Sequence, residues 1–343
     1  MWHFEIVRLV LNSLLPLVSL ASAVSASFPN PLPLEGDHVY VHDPSLIQRQ
    51  SDGKYFLFTS HNEAGIITAT NLSGPWTEVG SILPNGSSIN LPGRNDIWAP
   101  DVSLHNGTYY AYYAVSQSGS QNSSIGLATS PSLDPGTWTD HGQVFRTKKN
   151  DPYNAIDPNL AIDEHGEPVL TWGSYWDDIF QYSLISDLSA VTGSPKQVAY
   201  NSTIIGTTPR PDEGSFLWEH GNFYYLFFSS GQCCGFNASA LPAPGVEYKV
   251  FVGRSASAHG PFVDANGVDL RSAGGTLVIA SHDNVYAPGG EGVFTDMSDG
   301  IGRDVFVYHY LLAYGPWAYQ EQNATVGLNG IDWSSGWPVL TEL

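Results

Sequence analysis

The sequence predicts an all-β protein folded as a five-bladed β-propeller. Short aromatic strands recur along it, and each follows a turn glycine: Gly53, Gly107, Gly166, Gly221 or Gly302. These glycines lie 54, 59, 55 and 81 residues apart. A period of about 50–60 residues built from short strands is typical of propeller blades. A β-sandwich is the alternative, but sandwich strands show no such blade-length period.

Within each repeat the local sequence favours a hairpin. Four of the five turns read Asp-Gly, Asn-Gly or His-Gly between two strand-like runs. Those runs are rich in Val, Tyr, Phe and Trp, which suit pleated, half-buried surfaces. Residues 74–76 (Gly-Pro-Trp), 260–262 (Gly-Pro-Phe) and 135–138 (Pro-Gly-Thr-Trp) are predicted to turn the chain into the outer strand of a blade.

The first residues resemble a targeting signal rather than part of the fold. Arg8 precedes an apolar run over residues 9–20, and small residues dominate residues 21–26. This layout is typical of a secretory signal peptide, and the apolar run is too short and interrupted for a membrane anchor. We therefore predict a signal peptide over residues 1–26 and a single propeller domain over residues 27–343.

Two further features bear on secretion. Seven Asn-x-Ser/Thr sequons fit a secreted, extracellular eukaryotic protein, and they lie at Asn71, Asn85, Asn106, Asn122, Asn201, Asn237 and Asn323. The two cysteines are adjacent, at Cys233 and Cys234. They form either a vicinal disulfide, which closes almost no loop, or two buried thiols. In both cases the fold does not depend on a disulfide scaffold.

Composition and charge limit the partners. Aromatic residues make up 13% of the 343 residues, charged residues also 13%, and the formal net charge is −20. The chain therefore has ample apolar surface for a globular fold. A strongly negative protein repels nucleic acids, acidic membranes and polyanionic polysaccharides. We predict no nucleic-acid or membrane partner, a neutral ligand and a monomer.

Three acidic residues occupy nearly the same phase of three different repeats. Asp43, Asp157 and Glu213 lie 10, 9 and 8 residues before their turn glycines. The first strand of each propeller blade lines the central channel, so equivalent positions on different blades converge on one axis. The three acids are therefore predicted to meet in one active site in the central channel, rather than each to cap a local turn.

Such a set of acids suits glycoside hydrolysis. A protonated carboxyl group serves the leaving oxygen, and an ionised carboxylate activates water or attacks carbon. A third carboxylate raises the pKa of the acid by repulsion between like charges. Because acids with perturbed pKa values cluster at functional sites, a shared catalytic role is favoured.

The runs around these acids resemble the motifs of glycoside hydrolase family 43. The matching runs are residues 42–45 (His-Asp-Pro-Ser), 98–102 (Trp-Ala-Pro-Asp-Val), 155–159 (Ala-Ile-Asp-Pro-Asn) and 212–215 (Asp-Glu-Gly-Ser). Finer features resemble the endo-arabinanases of this family, namely residues 233–235 (Cys-Cys-Gly), residues 308–310 (Tyr-His-Tyr) and the ending at 331–338. The resemblance covers essentially the whole mature chain.

This resemblance implies an inverting hydrolase that cleaves internal α-1,5-L-arabinofuranosidic bonds of arabinan, a neutral plant cell-wall polysaccharide. It implies that Asp43 is the general base that activates water and that Glu213 is the general acid. Asp157 would tune the pKa of Glu213 and orient it. Inversion needs room for a water molecule, so the base and the acid should lie roughly 6.5–9.5 Å apart.

The resemblance also implies substrate contacts. The residues concerned are Gly119, Asn154, Ala155, Ile156, Ser174, Tyr175 and Trp176. Aromatic faces stack on sugar rings, and small polar groups supply the few oriented hydrogen bonds of such sites. Trp98 is a further candidate sugar platform, and packing between blades is an equally weighted alternative for it.

A metal ion is implied at one histidine. In the family, the histidine of the Tyr-His-Tyr run, here His309, faces the channel and binds one calcium ion largely surrounded by water. A lone histidine on a strand is otherwise a core residue, and calcium prefers oxygen ligands. No organic cofactor is expected. Residues 287–292 (Ala-Pro-Gly-Gly-Glu-Gly) depart from some bacterial relatives, which carry a histidine there.

Several other functions remain as alternatives. Within the same family, the chain could be an exo-acting α-L-arabinofuranosidase or a β-xylosidase. Invertase-like propellers carry an Arg-Asp-Pro motif, whereas Ile156 precedes Asp157 here. A non-catalytic carbohydrate-binding propeller would be expected to lack one of the three carboxylates. A protease is disfavoured because neither Gly-x-Ser-x-Gly nor His-Glu-x-x-His occurs.

Overall fold

The computed structural model describes residues 28–205, 208–209 and 211–343. The predicted signal peptide, residues 1–26, lies outside these ranges. Within them the helices are two 3₁₀ turns, Leu270–Ser272 and Glu321–Asn323, and all other regular structure is β-strand. No helix in the described ranges is long and apolar enough to cross a lipid bilayer.

The strands form five antiparallel sheets of four strands each, which confirms the predicted five-bladed β-propeller. Blade one comprises β1 (Ser45–Gln48), β2 (Tyr55–Thr59), β3 (Gly65–Ala69) and β4 (Thr77–Ser81). Blade two comprises β5 (Trp98–His105), β6 (Thr108–Val115), β7 (Ser124–Ser130) and β8 (Thr139–Arg146). Blade three comprises β9 (Asn159–Ile162), β10 (Pro168–Trp172), β11 (Ile179–Leu184) and β12 (Val191–Ala199).

A short hairpin separates the third and fourth blades, formed by β13 (Ile204–Ile205) and β14 (Thr208–Pro209). Blade four comprises β15 (Asp212–His220), β16 (Phe223–Ser230), β17 (Lys249–Ser255) and β18 (Thr276–Ile279). Blade five comprises β19 (Val285–Asp296), β20 (Arg303–Leu312), β21 (Thr325–Asp332) and β22 (Val339–Thr341). In every blade the strands pair in chain order.

The predicted turn glycines all lie where expected. Each lies between the first and second strand of its blade, as Gly53 lies between β1 and β2 and Gly302 between β19 and β20. Residues 74–76 and 135–138 lead directly into the outer strands β4 and β8, as predicted. The third copy, residues 260–262, does not lead directly into an outer strand, because a 3₁₀ turn lies between it and β18. The next residue, Val263, forms an isolated bridge to Arg254 in β17.

The five blades close into a ring. The innermost strands contact one another in order from β1 to β5, β9, β15 and β19, and β19 contacts β1 again. The segment before blade one also hydrogen-bonds to blade five, where the Leu32 amide donates to the Leu328 carbonyl at 2.8 Å and the Val41 amide donates to the Ala324 carbonyl at 3.1 Å. These bonds link the start of the propeller to its last blade.

The hydrophobic core lies between the blades rather than around the axis. Five clusters of buried apolar side chains each join one pair of neighbouring blades. Between blades two and three, for example, the rings of Phe145 in β8 and Trp172 in β10 pack with centroids 4.8 Å apart. Because apolar burial is satisfied between blades, the central channel is left free for polar and acidic side chains.

Candidate active site

One backbone conformation recurs just before or near the start of four inner strands and at the irregular pairing within β19. The residues in this position are Asp43, Ala99, Asp157, Gly214 and Gly290, with φ between 43° and 61°. All five line one cavity of about 70 Å³ in the central channel. This left-handed conformation is uncommon outside glycine, and strained backbone of this kind is concentrated at functional sites.

The three predicted carboxylates are brought together at this end of the channel. Asp43 and Asp157 occupy the recurring position in blades one and three, and Glu213 immediately precedes its counterpart in blade four. In blade two the same position is occupied by Ala99, whose side chain is not acidic. The acids are therefore arranged around the axis as the sequence predicted, with Glu213 one residue out of phase.

Asp43 is held by hydrogen bonds to Ser60 in its own blade and to His309 in blade five. Ser60 Oγ donates to Asp43 Oδ2 at 2.6 Å and accepts a hydrogen bond from the Ala99 amide at 2.8 Å. The Asp43 amide donates to His309 Nδ1 at 3.1 Å. The Asp43 side chain is still 36% exposed. It is therefore an oriented carboxylate with access to water, as a general base requires.

Glu213 is the more deeply buried acid. It is 7% exposed, and Ser174 Oγ donates to its Oε2 at 2.5 Å. Burial raises the pKa of Glu213, hydrogen bonding by Ser174 and Tyr248 lowers it, and the charge of Asp43 raises it. With its pKa raised overall, Glu213 holds a proton more readily than an exposed glutamate, which suits a general acid.

Asp157 lies beside Glu213. Its Oδ2 accepts a hydrogen bond from the Gly214 amide at 3.3 Å, next to Glu213 in the chain. Burial raises the pKa of Asp157 well above its usual range, and the charges of Glu213 and Asp43 raise it further. Asp157 and Glu213 are therefore two neighbouring carboxyl groups whose titrations are linked.

A fourth channel acid, Glu291, was not predicted. It follows Gly290 in blade five and lines the same cavity. Burial raises the pKa of Glu291 to about 8. Its Oε2 accepts a hydrogen bond from Ser229 Oγ at 2.5 Å, whereas its buried Oε1 has no partner. Alignment of the five strand starts would have revealed Glu291, because Gly290 is equivalent to Asp43.

Four predicted substrate residues lie at the mouth of the channel or on the loops around it. Tyr175 and Trp176, on the loop between β10 and β11, are 41% and 42% exposed. Gly119 lies on the loop between β6 and β7 with φ +74°, and nothing lies within 4 Å of an added Cβ. Trp98 begins β5, is half-buried and donates from Nε1 to Asp96 Oδ2 at 3.4 Å. Exposed aromatic faces of this kind suit stacking on sugars.

The other predicted substrate residues are buried. Ser174 contacts Glu213, as described above. Asn154 is 4% exposed, and its buried Oδ1 has no partner. Ile156 is 8% exposed. Ala155 is fully buried in the core cluster between blades two and three, so its side chain does not face the channel mouth.

The two cysteines form a vicinal disulfide, which settles the alternative that the sequence left open. The disulfide lies on the long loop between β16 and β17, which ends near Tyr248. On the same loop, the Gly235 amide donates to Glu321 Oε1 at 2.9 Å, and the Glu321 carbonyl hydrogen-bonds to His42 Nε2 at 3.1 Å. These bonds connect blades four, five and one along one side of the channel mouth.

The surroundings of His309 suit a hydrated cation better than a directly bound one. No group of three or more His, Cys, Asp or Glu side chains in the described ranges is arranged to hold a metal ion. Burial lowers the pKa of His309 to about 4, so its ring is neutral, as a metal ligand must be. Because His309 Nδ1 accepts a hydrogen bond from the Asp43 amide, the ring proton lies on Nε2, and a cation in the channel would meet the ring through a water molecule. The unpartnered Glu291 Oε1 adds an oxygen donor that calcium prefers.

Comparison with known proteins decides the family. The sequence pattern of "Glycosyl hydrolases family 43" matches residues 35–338. The chain belongs to this family. The matched segment runs from just before blade one to just before β22, so it includes the four channel acids and His309.

Relatives agree over most of the chain. A protein of Emericella nidulans named "Probable arabinan endo-1,5-alpha-L-arabinosidase A" is 51% identical over 302 residues, covering 88% of this chain and 90% of its own. "Arabinan endo-1,5-alpha-L-arabinosidase A" of Aspergillus aculeatus is 46% identical over 325 residues, covering 94% and 97%. These relatives confirm the family resemblance inferred from the sequence motifs.

Solved structures agree as well. The GH43 endo-arabinanase from Bacillus licheniformis superposes with a TM-score of 0.76 at 30% identity, covering 90% of this chain and 99% of its own. An exo-1,5-α-L-arabinanase from a bovine ruminal metagenomic library gives 0.75 at 33% identity, covering 90% and 100%. The overall fold is therefore common to proteins described as endo-acting and as exo-acting.

Proposed function

We propose that this protein is an inverting endo-hydrolase of the α-1,5-L-arabinofuranosidic bonds of arabinan. The observation that carries the proposal is the meeting of Asp43, Asp157 and Glu213 in one channel. Its support is the close match to the fungal proteins named above. We assign sugar binding to four exposed or half-buried residues around the channel mouth: Gly119, Tyr175, Trp176 and Trp98.

The geometry supports the following steps. Glu213 donates its proton to the O5 oxygen of the leaving arabinose unit as the glycosidic bond breaks. Asp43 accepts a proton from a water molecule, whose oxygen attacks the anomeric carbon from the opposite face. One water molecule is consumed, the leaving unit gains the hydroxyl proton, and the anomeric configuration is inverted. Ser60 orients Asp43, and Asp157 raises the pKa of Glu213.

Exo action is the second candidate, because a similar structure is described as an exo-1,5-α-L-arabinanase. Product analysis on linear α-1,5-arabinan distinguishes the two modes. We expect oligosaccharides of several lengths to appear at less than a few per cent of total bond cleavage, with a rapid fall in viscosity. A product of one fixed length from the first time point, with viscosity falling slowly, would show exo action instead.

We also propose that His309 and surrounding water hold one calcium ion in the channel. When bound, the ion would supply positive charge among four carboxyl groups. Calcium is therefore expected to raise the melting temperature of the wild-type protein relative to a chelator-treated sample, by mass action on the folded state. The measurement is thermal unfolding with added calcium and with excess chelator.

A matched pair of variants makes this test specific. His309→Gln should abolish the calcium-dependent shift, whereas His141→Gln, on the exposed outer strand β8, should keep it. Identical wild-type melting curves with calcium and with chelator would overturn the proposal and leave His309 as a packing residue that accepts the Asp43 amide.

The protein is further proposed to be a secreted monomer. The signal-like residues 1–26 support export. Four sequon asparagines are exposed, which makes them accessible for glycosylation, and they are Asn71, Asn85, Asn106 and Asn237. An extracellular location is also where a polymeric cell-wall substrate would be met.

A further inference from the structure

Two exposed aromatic side chains lie close together in the sequence, on the loop between β20 and β21 of blade five. Tyr314 is 68% exposed and Trp317 is 55% exposed, which makes them the two most exposed aromatic residues in the described ranges. Single exposed apolar residues are common on protein surfaces, but grouped ones mark sites of interaction. The pair on this loop therefore indicates a binding surface.

The loop that carries the pair is tied to the rest of blade five. At its start, the Tyr314 amide donates to Asn284 Oδ1 at 2.9 Å. Further along, the Tyr319 amide donates to the Leu312 carbonyl at 2.9 Å. The Tyr319 ring also packs on the Tyr286 ring with centroids 4.8 Å apart. Aromatic side chains on a backbone held in this way lose little conformational entropy when a ligand binds to them.

The same loop reaches the mouth of the catalytic channel. The Glu321 carbonyl hydrogen-bonds to His42 Nε2 at 3.1 Å, and His42 directly precedes the predicted base Asp43. The His42 ring in turn lies 5.0 Å from the His309 ring, measured between centroids. Trp317 stands four residues before Glu321, so their Cα atoms are at most about 15 Å apart. The aromatic pair therefore lies beside the channel mouth, within reach of a polymer bound there.

Tyr314 and Trp317 lie on a different side of the mouth from Tyr175 and Trp176. Both loops are at the end of the channel that holds Asp43, because each joins the second and third strands of its blade. The inner strands contact one another in the order β1, β5, β9, β15 and β19, so blades three and five are not neighbours in the ring. A chain laid across the mouth therefore meets exposed aromatic side chains on both sides of the acids.

We propose that Tyr314 and Trp317 form a second binding platform for the arabinan chain, on the blade-five side of the channel mouth. The inference rests on the proposed hydrolytic function. Aromatic faces suit the C–H faces of sugars, and a neutral polysaccharide is not repelled by a protein of net charge −20. Cleavage of internal bonds requires sugar contacts on both sides of the bond, which aromatic pairs on blades three and five supply.

The test follows the dependence of kcat/KM on chain length. Linear α-1,5-arabino-oligosaccharides, from the shortest that the wild type cleaves upwards, are compared with linear arabinan. Trp317→Ala should raise KM for arabinan by roughly 3–10-fold, the effect expected for one aromatic contact. The loss should appear in KM rather than in kcat, because sugar units far from the cleaved bond are bound equally in the ground state and the transition state. The ratio of wild-type to variant kcat/KM should therefore increase with chain length.

Rescue and a matched control separate sugar binding from damage to the loop. Trp317→Phe keeps an aromatic face and should recover most of the affinity for arabinan. Tyr314→Ala should show the same dependence on chain length as Trp317→Ala. Ile301→Ala is the control, because Ile301 is 87% exposed on the turn between β19 and β20, at the opposite end of the channel. It should match the wild type at every chain length.

The outcomes separate the two proposals. A Trp317→Ala protein with wild-type KM for arabinan, or with the same loss at every chain length, would overturn the platform while wild-type cleavage of arabinan still supported the hydrolytic function. A wild-type protein that cleaves neither arabinan nor its oligosaccharides would overturn the proposed function itself. Affinity electrophoresis of the wild type and Trp317→Ala in arabinan-containing gels would then decide the platform separately, and equal retardation of the two proteins would contradict it.

Discussion

Replacing Asp43 by Asn is expected to lower kcat on arabinan by about 10²–10⁴-fold, the usual cost of losing a general base. Asn keeps the size of the side chain and tolerates the left-handed backbone at this position, where φ is 44°. It can still interact with Ser60, but it cannot accept a proton from water. The fold should therefore persist while the attacking water is no longer activated.

Two comparisons make this result specific to the base. Because water must be activated whatever the leaving group, Asp43→Asn should be equally slow on arabinan and on a 4-nitrophenyl arabino-oligosaccharide, whose leaving group needs no proton. Glu213→Gln should instead be slow mainly on arabinan. Asp187→Asn, on the exposed turn between β11 and β12, is the matched control and should match wild type. Wild-type kcat in Asp43→Asn would remove Asp43 from the mechanism.

Asp157→Asn is expected to shift the alkaline limb of the kcat/KM profile to lower pH. The limb reports loss of the proton from the general acid of the free enzyme. Two neighbouring carboxylates raise each other's pKa, because a second negative charge is costly in a buried site. Burial raises the pKa values of both groups, the charges of Glu213 and Asp43 raise that of Asp157 further, and the charge of Asp43 raises that of Glu213. Removing the charge of Asp157 therefore lowers the pKa at which Glu213 loses its proton.

The variant should accordingly be slow at neutral pH and partly recover as the pH falls. The measurement is kcat/KM on arabino-oligosaccharides across the pH range, with melting curves at each pH to exclude unfolding. The fitted pKa belongs to the linked pair rather than to Glu213 alone. If the profile of Asp157→Asn loses height but keeps its alkaline limb in place, Asp157 orients Glu213 or binds sugar without tuning its pKa.

The fold was predictable because its signals are local and repeated. Each turn glycine and the aromatic run after it specify one hairpin, and five such hairpins at a regular spacing specify a ring of blades. The exception is the long step from Gly221 to Gly302. It contains the loop between β16 and β17 and the 3₁₀ turn before β18, neither of which follows the repeat.

The site was predictable only in part. Asp43 and Asp157 could be found because they lie 10 and 9 residues before a turn glycine and each is followed by proline. Glu291 lies 11 residues before Gly302, close to that offset, but it is followed by glycine rather than proline and lies within a glycine-rich stretch. Its hydrogen-bond partner, Ser229, comes from β16 of another blade. Side-chain networks that cross between blades leave no periodic trace in the sequence.

The anomeric configuration of the first product tests the central claim most directly. Nuclear magnetic resonance of the reducing ends, recorded before mutarotation, distinguishes the two anomers released from α-linked arabinan. With Asp43 activating water and Glu213 protonating the leaving oxygen, the β-anomer should form first. If the α-anomer formed first, a carboxylate would have attacked the anomeric carbon to form a covalent intermediate, and the roles assigned to Asp43 and Glu213 would be wrong.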